Sequence, residues 1–310
     1  MQILSEVIII MLNISLWSGK KKLRPEDLAA NGIDVSKLPP QALASLGTKR
    51  IISPDALSAF TNLKREAERI CLAKGVRFLG GYAIPKDSVD SLIEELKDIK
   101  ERFAAEKITF LSEYDKKVAD WIAENPPEWA PVIRAAVETS ATIAERTSFN
   151  FAPVAMDTPK GMEENEGLQE ETFGMMGQLY HEVRVAAKQA FEATFVGRRE
   201  VNRKALRPIL AIKEKLQGLS FLDPETVSET ITTINEVIGK LPKKGPINGS
   251  DLDMLAGLVG RRLANIGLPL PPETEPDAEP EETELEEEAD FFPVNSAALS
   301  TAITPIAFDF

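Results

Sequence analysis

The sequence predicts a predominantly helical α+β protein: a small antiparallel sheet packed with a long helical hairpin, followed by a disordered acidic C-terminal tail. Three observations predict it. The β-branched run at residues 7–17 reads as a buried strand. Residues 88–125 carry helical periodicity with no Pro or Gly to interrupt them. Eleven of the 49 Asp and Glu residues fall within residues 273–290, where no Lys or Arg occurs. The remaining 38 acidic residues face 36 basic ones, so the formal charge of −13 belongs largely to the tail and the body is close to neutral.

The elements follow in chain order. In the first strand Asn13 and Ser15 introduce alternation, so one face becomes solvated near its end. Residues 25–30 predict a short helix with Pro25 at its start, Glu26 and Asp27 in the first turn and Gly32 just past the end. A second short helix is expected after Pro39-Pro40, stopping at Gly47. Ser53 caps a longer helix whose Leu57, Phe60, Leu63, Ala67 and Ile70 step by threes and fours to Gly75. Residues 76–84 read as a second strand, in which Gly80-Gly81 marks a bulge or a close backbone approach.

From Ser88, the positions Val89, Leu92, Leu96, Ile99 and Phe103 line one helix face. The stripe then shifts to Ile108, Leu111, Val118 and Ile122, a stutter in a helix about 57 Å long. Pro126-Pro127 ends it, and Trp129, Val132, Ile133, Ala136, Val137 and Ile143 mark another helix. Phe149, Phe151 and Val154 give a third strand near residues 148–155. A second long helix at residues 168–196 carries Phe173, Met176, Leu179, Val183 and Ala187, with breaks at Gly197 and Pro208. Two shorter helices follow, one over residues 224–238 capped by Asp223 and one over residues 251–266 capped by Ser250. The expected divisions are a sheet and long-helix body at 1–198, a small helical subdomain at 199–268, an acidic linker at 269–290 and an aromatic peptide at 291–310.

Composition excludes several classes. At 43% apolar and 27% charged, the chain can bury a core. A single Cys, Cys71, forms no intramolecular disulfide. The apolar run at 7–16 is shorter than the roughly 20 residues that span a bilayer, and it lacks the features of a secretory signal. A cytoplasmic location without membrane association is expected. No P-loop, Gly-x-Gly-x-x-Gly or Gly-x-Ser-x-Gly motif occurs. One Cys and one His, His181, do not make a zinc cluster, and acidic pairs such as Glu94-Glu95 are what solvated helix faces carry. Neither catalytic residues nor a metal or cofactor is expected.

Three features stand above this background as partner-binding candidates. Trp17 is followed by Lys20, Lys21, Lys22 and Arg24, a cluster that suits a phosphate, an acidic partner or the chain's own tail, or is a solvated turn. Gly80 and Gly81 sit between aromatics, where a ligand approaches closely or the sheet curves. Phe291, Phe292, Phe308 and Phe310 lie beyond the acidic run, as anchors on a spacer reaching on the order of 25 Å, or as part of a solubilising tail.

Several segments together are similar to a known family. They are Trp17-Ser18-Gly19-Lys20-Lys21-Lys22-Leu23-Arg24-Pro25, then Gly75-Val76-Arg77-Phe78-Leu79-Gly80-Gly81-Tyr82, and Lys215-Leu216-Gln217-Gly218-Leu219-Ser220-Phe221-Leu222-Asp223-Pro224. Leu241-Pro242-Lys243-Lys244-Gly245-Pro246-Ile247 fits as well. The set resembles the domain of unknown function 3150 family of bacteriophages, conjugative elements and bacteria, over residues 5 to 267. Lys20 stands where the family usually has Arg, which keeps the charge and loses the bidentate fork. The resemblance implies neighbours of two kinds, a MoxR-like AAA+ ATPase and a von Willebrand A-type protein. It implies no catalytic residue. The resulting expectation is a non-enzymatic adaptor of a phage or mobile element working with a protein partner. The alternative is a DNA-associated factor in replication or recombination, against which the near-neutral body argues. Oligomeric state is left open.

Overall fold

The structure is a computed structural model that describes residues 2–29, 31–40, 42–156 and 166–268, all within the compact unit Met1–Pro269. The acidic segment and Phe291, Phe292, Phe308 and Phe310 lie outside the described residues. In chain order the elements are α1 (Gln2–Ser5), β1 (Val7–Ser15), β2 (Lys20–Lys22), α2 (Pro25–Ala29), β3 (Thr48–Arg50), α3 (Ser58–Lys74), β4 (Val76–Phe78), β5 (Gly81–Pro85) and α4 (Lys86–Glu124). Then come α5 (Ala130–Arg134), α6 (Ser140–Arg146), β6 (Ser148–Val154), α7 (Glu166–Thr194), β7 (Glu200–Val201), α8 (Leu206–Gly218), α9 (Pro224–Lys240), β8 (Ile247–Asn248) and α10 (Gly249–Gly257). The fold is predominantly helical with a small antiparallel sheet, as expected. Among the described residues no helix is long and apolar enough to cross a membrane.

The main sheet runs β4-β5-β1-β6, antiparallel throughout, with Ile10 opposite Tyr82 and Leu12 opposite Phe151. Because strand side chains alternate, the β-branched run feeds two cores. Val7 and Ile9, with Val76, Phe78 and Ala83, pack with residues of α7, α8, α9 and α10. Ile10, Tyr82 and Ile84 pack with α3, α4 and Ile143 of α6. The two long helices, expected side by side as a hairpin, therefore have their cores on opposite faces, with the sheet between them. Segment 199–268 shares its core with α7 and the sheet.

Four local expectations are corrected. Residues 76–84 are a hairpin rather than one strand: Leu79 (φ 46°) and Gly80 (φ 79°) form a two-residue turn of the primed kind between β4 and β5. Among the described residues the stretch after Pro39-Pro40 forms no helix and leads into β3. The helix expected from Trp129 to Ile143 is broken into α5 and α6 by residues 135–139, where the Thr139 side chain accepts from Thr142 N at 3.3 Å. Finally, the shifted stripe of α4 does not pass through Ile108, although Val118 is buried and Leu111 and Ile122 pack partly buried against the same core. Ile108 is 72% exposed, and the core stripe runs on through Phe103, Phe110, Tyr114 and Val118. Lys107 holds the intervening position, its ammonium donating to Ala144 O at 2.6 Å and Thr147 O at 2.7 Å. Its stem follows the apolar face while its charge closes the end of α6.

Candidate functional site: a cationic β-ribbon

After β1 the chain turns at Gly19, whose φ of +65° and lack of a Cβ are both needed, since a Cβ there would meet Ile52 Cγ2 at 2.9 Å. Lys20–Lys22 then pairs antiparallel with Thr48–Arg50, with Lys20 opposite Arg50, Lys21 opposite Lys49 and Lys22 opposite Thr48. This alternation sorts the cations onto two faces. Lys21 and Lys49 are partly buried; Lys20, Lys22 and Arg50 are exposed.

Each inward lysine meets its own carboxylate. Lys49 Nζ lies 2.6 Å from Asp27 Oδ1, and Lys21 Nζ lies 2.6 Å from Glu138 Oε1. Two adjacent lysines on one face would repel, and the separate acids remove that cost. Glu138 also accepts from the Trp17 indole N–H at 2.6 Å and from Arg146 at 2.9 Å. Burial pushes the Glu138 carboxyl up, but the hydrogen bonds from Lys21 and Trp17 and the charges of Lys21 and Arg146 outweigh it and hold the group below its ordinary value. Asp27 behaves alike: desolvation is outweighed by Lys49, the Arg24 backbone N–H and the Arg24 charge. Trp17 itself is buried, edge-on to Tyr114 at 5.9 Å, and Trp121 ties the ribbon to α4 by donating to Arg50 O at 3.3 Å.

The outward face carries what remains. Among the described residues none of Lys20, Lys22 or Arg50 is ion-paired, and Arg24 sits at the start of α2 beside Asp27. Lys22, Leu23, Arg24 and Asp27 line a cleft of about 580 Å³. The arrangement presents positive charge on a paired and tethered ribbon, suited to an anionic surface.

Of the predicted partner-binding residues, the structure brings Lys20, Lys22 and Arg24 to the surface and turns Lys21 inward. Trp17 is the anchor beneath them. Gly80 forms the hairpin turn, and Gly81 is packed against β1, where a Cβ would stand 2.7 Å from Met11 Sδ and 2.9 Å from Ile10 O. The glycine pair is thus accounted for by the sheet. Glu138, Asp27, Lys49 and Arg50 were not foreseen. The Thr139 cap is the one local signal that places Glu138 in a loop. Cys71 is fully buried, its thiol pushed up to about 12 by desolvation first and by Glu68 and Glu95 second. His181 is exposed. Among the described residues no group of three or more His, Cys, Asp or Glu is gathered to hold a metal.

The family model described as Protein of unknown function (DUF3150) matches residues 4–263. The chain belongs to the DUF3150 family. No curated protein and no solved structure matches it. In this DUF3150 chain the segments that carry the family resemblance have structural duties. Lys215 pairs with Glu182 and donates to Leu72 O, joining α8, α7 and α3. Leu216, Leu219 and Leu222 are core residues. Asp223 caps α9 by accepting from Thr226 N and also receives the Tyr180 hydroxyl at 2.6 Å. Gly75 packs so closely that a Cβ would stand 2.2 Å from Ala83 O.

Proposed function

We propose that this DUF3150 chain is a non-enzymatic adaptor that docks an acidic partner protein on the outward face of the β2–β3 ribbon. The observation carrying this reading is the division of the ribbon's cations. Lys21 and Lys49 are held by Glu138 and Asp27, leaving Lys20, Lys22 and Arg50 exposed and, among the described residues, unpaired on a braced backbone. Bracing lowers the ordering cost of association, and uniform charge speeds encounter with an acidic surface. In the mobile-element setting that the resemblance implies, the MoxR-like AAA+ ATPase or the von Willebrand A-type protein is the partner.

Affinity capture from the native host, with the full-length chain and its Lys20→Glu/Lys22→Glu/Arg50→Glu variant as baits, tests this. The reading expects a defined acidic protein to be retained by the wild type and lost by the variant, with both melting alike. Recovery of the same proteins by both baits would sink it.

A further inference from the structure

We propose that a second surface, built around β7 and β8, binds the phosphate backbone of nucleic acid. It goes beyond the adaptor reading and uses none of the ribbon's residues.

Two basic segments lie about forty residues apart in sequence. Residues 198–204 carry Arg198, Arg199, Arg203 and Lys204 with one acid, Glu200, and residues 241–246 carry Lys243 and Lys244 with none. The fold puts them side by side. β7 pairs antiparallel with β8, Glu200 opposite Asn248 and Val201 opposite Ile247, and the buried Val201 and Ile247 fix the pair to the core. The Arg203 guanidinium donates to Pro242 O, drawing the second loop against the first. Gly245, at φ +89°, lets that loop turn.

All six cations are exposed, and among the described residues none is ion-paired. Other surface cations of this chain commonly are: Lys74 pairs with Glu95, Arg102 with Glu66 and Asp98, and Lys117 with Glu113. The β7–β8 end therefore departs from a mixed surface and makes a local positive field on a nearly neutral body. Between the segments lies a cleft of about 450 Å³ lined by Arg198, Asn202, Lys204 and Pro246, with Glu200 as its one acid. α8 starts immediately beyond, so its positive N-terminal end adds to the field.

The chemistry favours phosphate over an acidic protein. Half of the six cations are arginines, whose planar fork matches phosphate oxygens. Neither segment has an aromatic side chain of the kind that anchors protein interfaces. Contacts of this type position a backbone and do not read sequence.

The test is fluorescence anisotropy of the full-length chain with a labelled DNA duplex of about 25 base pairs, titrated from about 50 mM salt upward. Binding should weaken with salt, at a slope of about 0.9 per phosphate contact. Arg198→Glu/Arg199→Glu/Lys243→Glu/Lys244→Glu, which leaves the Arg203 tether intact, should weaken binding at least ~100-fold, the combined loss of four such contacts. The Lys20→Glu/Lys22→Glu/Arg50→Glu variant should stay within about twofold of wild type. Should the fourfold reversal melt early, the matching glutamine set should still lower the salt slope. Absence of wild-type binding at low salt, or equal affinity in a folded variant, overturns the proposal. Displacement of the duplex by polyglutamate at equal charge also overturns it, assigning the face to an acidic protein.

Discussion

The Trp17 indole N–H donates to Glu138 Oε2 at 2.6 Å across 121 residues of sequence. Glu138 is one-tenth exposed and serves Trp17, Lys21 and Arg146 together. Glu138→Ala should therefore cost about 2–3 kcal/mol, chiefly because it strands the buried Trp17 N–H donor while Lys21, partly exposed, is left to water. Glu138→Gln keeps an acceptor for Trp17 and should cost about 1–2 kcal/mol. Urea denaturation of the two variants beside wild type checks the order; equal midpoints for all three would contradict it.

The register of α4 gives a second prediction. Ile108 is 72% exposed and Phe110 is 2% exposed, only two positions on. Ile108→Lys should change stability by less than about 0.5 kcal/mol, and Phe110→Ala should cost about 3–5 kcal/mol. Lys107→Ala loses two charged hydrogen bonds and should cost about 1–3 kcal/mol. A stripe through Ile108 predicts the reverse order for Ile108 and Lys107, which thermal melting resolves.

Much of this fold is legible in sequence, and the exceptions have physical causes. Strands β1 and β6 and helices α3 and α4 declare themselves through β-branched runs or apolar spacing. The register of the second half of α4 does not, because Lys107 reads as polar although its stem lies on the core side, and Ile108 reads as apolar although it faces water. The ribbon is invisible to periodicity. Three consecutive lysines show no alternation, and their two faces differ only through Asp27 and Glu138, which the fold brings near. The β7–β8 surface is hidden likewise, its cations divided between two segments that only pairing unites.

Gly75, which joins α3 to β4, and Gly80, in the β4–β5 turn, should separate by mechanism. A Cβ on Gly75 would meet backbone at 2.2 Å, so Gly75→Ala should cost more than about 2 kcal/mol. Gly80 has open space but φ +79°, so Gly80→Ala should cost only about 1 kcal/mol. Comparable losses would show that the close approach of Gly75 to β5 is not as described.

Stability should fall at both ends of the pH scale. Glu138, Asp27 and Asp223 have folded values below their ordinary ones, so their contributions are full above pH 4.5 and fade as pH drops through the folded values. For Asp223, burial opposes this and is outweighed by hydrogen bonds from Tyr180 and Thr226. Tyr180 is raised from 10.0 to about 12, by burial first and by Asp223 second, so its contribution is full below pH 10 and is lost as pH climbs toward 12. Melting temperature against pH, with Glu138→Gln flattening the acid limb and Tyr180→Phe the alkaline one, reads this directly.

Lysine reactivity tests the division of the ribbon's charge most directly. Brief acetylation of the full-length chain, read by mass spectrometry at each site, should modify Lys20 and Lys22 several-fold faster than Lys21, with Lys49 slowest. That order follows from exposure and from the ion pairs of Lys21 and Lys49 with Glu138 and Asp27. Equal rates at all four lysines, or faster modification of Lys21 and Lys49, would contradict it.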